Sequence, residues 1–412
     1  MVADAPTAAT AILTPPDVAR QRNWVLGIVN GAHFCNHFAT GMYPVLLAVM
    51  MAPLGFGYSE LGLLNALHHT VSSGLQAGSG FITQFFKRAA ILGVGSIVFG
   101  LATSLTGLAQ SFWQVAIFKT VSGAGASPQH VVGAVMLSTW FEGARGRALA
   151  LHSTAGSLGT LIGPLIAAAL LVFLDWRIVF AIIGIPSIAA GAAYLLLREK
   201  VAPAPITGNR RLVRAGWGSY VACFKNRELM LITLLMTVGA AGRGGGLNET
   251  YLIPHFIYDL GIAAVVAASL ITILHAGGLV APMAWGWISD VFPRKLVMQV
   301  ALAFAAITTV WLGQQTVLDV LLIANLVVHG LVIHSRQAIT QAMVGDYAGP
   351  ELQDAAFSLY YTLGLISGPF WVILMGAVMQ SWGFAIATQV AAASYVVGML
   401  LLIPVRIKPR PA

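Results

Sequence analysis

Charged side chains are scarce in this chain: Asp, Glu, Lys and Arg together make up 9% of its 412 residues. A water-soluble protein covers its surface with about 25% charged residues, so this composition excludes a soluble fold. In their place the chain has 58% apolar residues and a mean hydropathy of +0.83. Composition alone therefore predicts a membrane protein that consists mostly of spanning segments.

Cysteine is also scarce, and Cys35 and Cys223 are the two in the sequence. Cys35 lies within an apolar stretch, whereas Cys223 lies in a polar segment that precedes a different apolar stretch. We therefore expect no disulfide between them. Residues 1–23 are polar and lack an apolar run, and we expect no cleavable export signal there.

Twelve apolar stretches are each long enough to cross the membrane, since about 20 helical residues span roughly 30 Å of hydrocarbon. The predicted spans are 24–52, 59–86, 89–110, 111–141, 147–174, 177–197, 228–259, 262–290, 296–314, 317–344, 353–379 and 383–405. Their apolar runs are unbroken rather than alternating, which favours helices over a β-barrel.

The sequence repeats itself at an offset of about 205 residues. At an offset of 206, the matching pairs are His69 with His275, Gly80 with Gly286, and Arg88 with Arg294. At an offset of 205, they are Ser153 with Ser358, Gly159 with Gly364, Gly163 with Gly368, and Pro164 with Pro369. Two parallel halves of this kind are typical of secondary transporters, in which the substrate site lies between the halves.

The predicted fold is therefore an all-α membrane protein with twelve transmembrane helices in two pseudo-symmetric six-helix halves. The predicted parts are an N-terminal tail (1–23), a first half (24–197), a basic linker (198–227), a second half (228–405) and a C-terminal tail (406–412). Within the linker, the stretch from Trp217 to Phe224 is expected to form a short interfacial helix.

The net charge of +8 follows from topology rather than from a nucleic-acid-binding surface. If both termini are cytoplasmic, 18 of the 22 basic residues face the cytoplasm, three lie within spans, and Arg177 alone lies outside. This is the positive-inside distribution. We expect a multi-pass protein of the bacterial cytoplasmic (inner) membrane that contacts lipids and binds no nucleic acid.

Several motifs together resemble the major facilitator superfamily over essentially the whole chain. Between the second and third helices of each half, that family carries a Gly-x-x-x-Asp-Arg-x-Gly-Arg type motif. The second-half copy here, Gly286 to Lys295, keeps Asp290 and Arg294, whereas the first-half copy has Gln84 where the acid belongs. The resemblance implies a charge latch that holds one conformation, and its candidate residues are Asp290, Arg294, Arg88 and Arg145.

Other segments are similar to named parts of that family. Lys119, followed by Gly123 and Gly125, resembles its fourth-helix pattern, although arginine is usual there. The turn from Trp140 to Ala148 resembles that of organic-anion branches. The set Gly159, Gly163 and Pro164 resembles an antiporter motif, but Ala167 and Ala168 replace its later glycines. The first helix, with His33, His37, Tyr43 and Pro44, resembles exporters of the fosmidomycin-resistance type.

Strong charges inside spans are costly and usually face a cavity or a partner. Those in this chain are Lys119, Arg243, Arg336 and Glu249. Three cations against one anion favour an anionic substrate. The alternative is that Glu249 pairs with one cation while another binds backbone carbonyls. Arg243 precedes three consecutive glycines, which predict a broken helix in mid-membrane.

All ten histidines fall inside predicted spans, where imidazole is a candidate proton carrier. We predict proton coupling by Glu249, His69, His275 and His329. The predicted substrate-binding residues are Arg243, Lys119, Arg336, His37, His69, His275 and Asn248. His152 and His255 are expected to be interhelical hydrogen-bond partners. Small-to-large changes at Gly163 and Gly368 are expected to disturb close helix packing.

The sequence thus favours a proton-coupled carrier, symporter or antiporter, of a small organic anion such as a carboxylate or phosphonate. We expect a monomer without catalytic residues, cofactor or bound metal. The main alternative is a proton-driven multidrug efflux pump. A copper transporter is a further alternative, because His33 and His37 share a helix face and the chain has 13 methionines. The last alternative is a receptor or an assembly factor with the same fold.

Overall fold

A computed structural model describes residues 16–83, 85–197, 217–239, 241, 246–349 and 351–407. This part of the chain is helical and contains no strand. Hydrocarbon offers no partner to backbone N–H and C=O groups, so a spanning chain satisfies them within helices. Seven of the described helices are long and apolar enough to cross a membrane.

The helices form two groups, one on each side of the segment that joins the halves. The first half contains α1 (Pro16–Leu54), α2 (Tyr58–Ile82), α3 (Arg88–Leu105), α4 (Phe112–Ala126), α5 (Pro128–Trp140), α6 (Arg145–Leu171), α7 (Trp176–Ile183) and α8 (Ile185–Leu196). The second half contains α9 (Trp217–Lys225), α10 (Arg227–Val238), α11 (Leu252–Pro254), α12 (Ala264–Val291), α13 (Arg294–Gln314), α14 (Val320–Ile333), α15 (Arg336–Ala348) and α16 (Gln353–Leu401).

Apart from α9, these helices overlap the twelve predicted spans, and several spans are divided between two helices. The fourth span breaks at Ser127, because Pro128 has no N–H to continue the ladder and starts a new helix. Gly383, at φ 78°, turns the chain within α16, so the last two predicted spans are the two arms of this element. The predicted short helix at Trp217 is present as α9.

The predicted break in the seventh span is confirmed. Helix α10 ends at Val238, and helical structure resumes with a π-helical turn at Leu247–Tyr251 and a second one at His255–Asp259. π-Helical turns are rare in proteins, and those that occur often lie at functional sites. Arg243, which was predicted to bind substrate within this break, lies outside the described residues.

The two halves share a core at one end of the bundle. We call the end at which α1 finishes, at Leu54, the distal end, and the opposite end the proximal end. The largest apolar cluster joins residues of both halves, including Leu47, Tyr251 and Met375. Two further clusters each belong to one half, around Met136 in the first and around Met343 in the second.

Hydrogen bonds also join the halves at the distal end. The Tyr58 hydroxyl donates to Asp259 Oδ2 at 3.1 Å, and the Tyr58 backbone N–H donates to Gln380 Oε1 at 2.9 Å. The Tyr258 hydroxyl donates to the Ala48 carbonyl at 2.7 Å. No pattern in the sequence predicted these hydrogen bonds between the halves. Cys35 and Cys223 are both free thiols, as expected.

Candidate functional site

A cavity of about 340 Å³ lies between the two halves. It is on the proximal side of the hydrogen bonds that join the halves at the distal end. From the first half, its polar lining consists of His33, His37, His130, Ser153, Ser157 and Thr160. From the second half, it is lined by Glu249, His275, Gly278, Leu279 and His334. Imidazoles and hydroxyls therefore dominate its polar surface, and both halves contribute to it.

Four histidines of the first half form a compact group, which we call the histidine cluster: His33, His37, His130 and His152. His33 and His37 are four residues apart on α1 and share one helix face. His130 lies in the first turn of α5, directly after the break that Pro128 causes. His152 lies on α6, which packs along α1.

The rings of the histidine cluster touch one another. The His33 ring stacks on His152 with centroids 3.8 Å apart. It lies 4.5 Å from His37 and 5.0 Å from His130, and the His37 and His130 centroids are 5.2 Å apart. A nitrogen from each of His33, His37 and His130 lies within 4.8 Å of the other two. The cluster therefore brings four imidazoles into contact beside the cavity.

Residues of α6 hold the cluster in place. His37 Nδ1 lies 3.1 Å from Thr160 Oγ1, and His152 Nδ1 lies 3.2 Å from Asn30 Oδ1 on α1. A Cβ added at Gly156 would come within 2.7 Å of His33 Nε2, so a larger residue there would displace this ring. Gly159 and Gly163 allow α6 to approach α1 closely.

The second half presents a carboxylate and two further imidazoles to the same cavity. Glu249 lies on the first π-helical turn, and a Cβ at Gly278 would lie 3.1 Å from His334. The His275 and His334 ring centroids are 6.0 Å apart. Of the described residues that line the cavity, Glu249 alone carries a formal charge at neutral pH with histidine neutral.

Three predicted site residues, His37, His275 and Glu249, meet at this cavity. Two predicted cations do not line it. Lys119 is 2% exposed, and its Nζ lies 4.0 Å above the Tyr43 ring. Arg336 is buried, donates Nη1 to the Gly239 carbonyl at the end of α10 and lies over the Tyr395 ring.

The remaining predicted polar residues occupy separate places. His329 is fully buried, with Nδ1 2.9 Å from Thr308 Oγ1 and Nε2 3.2 Å from Asn248 Oδ1. His69 is partly buried on α2, and its ring centroid lies 5.5 Å from that of His68. His329 and Asn248 thus bind each other, and neither they nor His69 belong to the described lining of the cavity.

The latch candidates lie at the proximal end. Arg294 forms ion pairs with Asp290, at 3.1 Å, and with Asp346, at 2.5 Å, so it ties the α12–α13 turn to α15 within the second half. Arg88 donates to Thr139 Oγ1 at 3.3 Å within the first half. Gln84 and the side chain of Arg145 lie outside the described residues.

Sequence reasoning missed part of the cavity. It did not single out His130, His334 or the hydroxyls of Ser153, Ser157 and Thr160 as site residues. His152 was expected to be an interhelical hydrogen-bond partner, and its bond to Asn30 between α6 and α1 confirms this. The spacing of His33 and His37 was visible in the sequence. Their proximity to His130 was not, because it depends on how α5 packs beside α1 and on the break at Pro128.

The sequence pattern of the Major Facilitator Superfamily matches residues 29–247 and 246–412. Among curated proteins, the chain is similar to a "Probable 4-methylmuconolactone transporter" of Cupriavidus pinatubonensis, with 28% identity over 214 residues, 51% of this chain and 49% of that protein. It is also 23% identical over 205 residues to a "Probable L-galactonate transporter" of Escherichia coli, 47% of this chain and 45% of that protein. The chain thus matches about half the length of these relatives.

Among solved structures, the fold is similar to that of the nucleoside transporter NupG, with a TM-score of 0.77 at 12% sequence identity. The match covers 92% of this chain and 98% of the other. At this identity the likeness establishes the fold. The two matched segments together cover nearly the whole chain, and the protein therefore belongs to the Major Facilitator Superfamily of membrane transporters rather than to a family of enzymes.

Proposed function

We propose that this transporter carries a small organic anion, of the carboxylate or phosphonate type, together with protons. The observation that carries the proposal is the inter-half cavity, where five imidazoles and Glu249 face one another. A site lined by both halves is exposed alternately to the two sides of the membrane as the halves rock. We further propose an inner-membrane location with both termini cytoplasmic, and a monomer.

The lining of the cavity supports a coupling of proton and anion transport. The described lining offers an anion no permanent cation, but it offers hydroxyl donors and imidazoles. Imidazole is the side chain whose charge changes closest to physiological pH. An anion therefore binds best when it enters with a proton that converts a cavity imidazole into a charge-assisted donor. Glu249, a carboxylate on the same cavity, is the second proton acceptor of this scheme.

The similarity to proteins named as transporters of L-galactonate and of 4-methylmuconolactone supports an organic acid as substrate. We still propose that Arg243 supplies the permanent positive charge that binds the anion. The basis is its position in the sequence, in the glycine-rich break two residues before Gly245. Lys119 and Arg336, each buried against an aromatic ring, act on the site indirectly in this proposal, by holding helices in position.

The test is thermal stabilisation of the detergent-purified protein by a panel of mono- and dicarboxylates, phosphonates, sulfonates and lipophilic cations at pH 5.5 and 7.5. A ligand that binds the folded state raises its melting temperature by mass action. We expect an anion to give the shift, and we expect a larger shift at pH 5.5, where more imidazole is protonated.

Matched variants locate the site. Arg243→Gln and His37→Gln should abolish the shift, whereas Lys225→Gln, which removes one exposed positive charge at the end of α9, should retain it. Proteoliposomes with an imposed pH gradient should then take up the stabilising anion. Stabilisation by lipophilic cations alone would contradict the proposal and indicate a multidrug carrier.

A further inference from the structure

Three of the imidazoles that line the cavity have the arrangement of a metal-ligand set. We infer that His33, His37 and His130 form a binding site for one divalent first-row transition-metal ion of the Zn²⁺ type. This inference goes beyond the proposed anion transport and does not depend on it. It rests on the convergence of the three nitrogens, on the hydrogen bond that orients His37, and on a nearby carboxylate.

The ligand atoms are close enough to be drawn together by an ion. One nitrogen of each ring lies within 4.8 Å of the other two. Zn²⁺ binds imidazole nitrogen at about 2.0–2.1 Å, which places tetrahedral ligands roughly 3.4 Å apart. Small rotations of side chains therefore bring the three nitrogens onto one ion. His33 and His37, four residues apart on α1, already present their rings to the same point.

A hydrogen bond orients His37 as a neutral ligand. The Thr160 hydroxyl donates to the Gly156 carbonyl at 3.2 Å, so it accepts the N–H of His37 Nδ1. The lone pair of His37 is then on Nε2, which is buried and has no hydrogen-bond partner among the described residues. A ligand histidine whose second nitrogen donates to a fixed acceptor is the usual arrangement at metal sites.

The other two ligands complete the set. His33 is 4% exposed, and its Nδ1 likewise lacks a hydrogen-bond partner within the described part of the chain. Buried imidazole nitrogens normally have a partner, so these atoms indicate a ligand. His130 is exposed and lines the cavity, so the three nitrogens are accessible from the cavity. Three protein ligands leave the fourth position of a tetrahedral ion open to the cavity.

The described lining of the cavity supplies one negative charge beside the three imidazoles. Glu249 faces it from the second half, and no described lining residue carries a permanent positive charge. His152, which stacks on His33, keeps its Nδ1 bonded to Asn30 and supports the ring from behind. Neutral nitrogen ligands favour zinc, copper, nickel and cobalt over magnesium and calcium, which prefer oxygen.

The experiment is isothermal titration of ZnCl₂ into the tag-free, detergent-purified full-length protein at pH 7.5. We expect one ion per chain, and we expect the dissociation constant to rise at least about tenfold in His37→Gln and in His130→Gln. The control is His255→Gln, which removes a histidine bonded to Asp259 outside the cavity and should leave zinc binding unchanged. Thr160→Val removes the orienting acceptor and should weaken binding about tenfold while leaving all three ligands in place.

Cobalt provides a readout that does not depend on variants. Bound Co²⁺ should show the visible absorption of a four- or five-coordinate nitrogen site, and excess Zn²⁺ should displace it. Protons compete with the metal for the imidazoles, so zinc binding should weaken from pH 7.5 to pH 5.5, opposite to the trend expected for the anion. Absence of binding by the wild-type protein, or unchanged binding in both ligand variants, would overturn the inference without affecting the anion proposal.

Discussion

At the scale of single residues, the buried polar groups of this protein are held by specific neighbours. Lys119 is buried with its ammonium over the face of Tyr43, and the Lys119 carbonyl lies 3.0 Å from His68 Nδ1. Arg336 satisfies the Gly239 carbonyl, which α10 leaves without an intrahelical donor. Both residues were predicted to bind substrate because intramembrane charges usually face a cavity. The sequence analysis also considered the alternative role, in which a buried cation binds backbone carbonyls instead of substrate.

His329 illustrates the same distinction among the imidazoles. It was predicted to carry protons, yet its ring is fully buried and both nitrogens lie within hydrogen-bonding distance of side chains on two other elements. The sequence identifies an intramembrane histidine but not its partners. Thr308 and Asn248 lie 21 and 81 residues away from it along the chain.

We predict that His329→Phe lowers the melting temperature of the purified protein. The change leaves Thr308 and Asn248 without these buried hydrogen bonds, a loss of about 1–3 kcal/mol. His130→Phe is the matched control, because His130 faces the cavity and should affect stability little. An unchanged melting temperature in His329→Phe, with loss of pH-dependent transport, would instead support the predicted role in proton coupling.

At the scale of helices, the internal repeat predicted the architecture but not the contacts of each repeated residue. The spans, the two halves and the break after Val238 all follow from the length of apolar runs and from glycine and proline positions. Gly163 and Gly368 are equivalent by sequence offset, and both were expected at close helix contacts. A Cβ at Gly163 would lie 2.7 Å from the Phe38 carbonyl, so that expectation is confirmed.

The described residues give the expectation for Gly368 no support. No described atom lies within 4 Å of the position that its Cβ would take. Among the described residues, the close approach of α1 and α6 at Gly163 therefore has no counterpart at Gly368; residues 242–245, which the offset of 206 makes equivalent to residues 36–39 of α1, lie outside the described part of the chain. Repetition in sequence fixes which helices are equivalent, whereas their distances depend on every side chain around them.

The different surroundings of Gly163 and Gly368 among the described residues suggest a matched pair of variants. Gly163→Leu should push α6 away from α1 and destabilise the protein by about 1–3 kcal/mol, because the obstructing atoms are backbone. Gly368→Leu should be neutral or slightly stabilising, because leucine favours helix more than glycine does. Thermal unfolding of both variants checks this. A larger loss in Gly368→Leu than in Gly163→Leu would contradict the packing described for these helices.

At the scale of the whole molecule, the halves are joined at the distal end and have separate cores toward the proximal end. The shared apolar cluster and the bonds from Tyr58 to Asp259 and Gln380 lie on the distal side of the cavity. Asp259 also accepts a 2.6 Å bond from His255 Nδ1, which fixes the carboxylate toward Tyr58. A carrier that alternates between two openings must break such a link during each cycle. With both termini cytoplasmic, as we propose, the structure corresponds to an inward-facing state.

Tyr58→Phe should shift the population toward the state that is open at the distal end. The variant loses one hydroxyl bond between the halves, worth about 0.5–1.5 kcal/mol, which changes a two-state ratio by roughly two- to tenfold. Spin labels on cysteines placed at the exposed positions Val172 and Val317, in a background lacking Cys35 and Cys223, report the distance across that end. Tyr220→Phe is the control, since its hydroxyl bonds Ser358 within the second half. We expect a greater long-distance fraction in Tyr58→Phe alone, and equal distance distributions in the two variants would show that this bond does not hold the distal end closed.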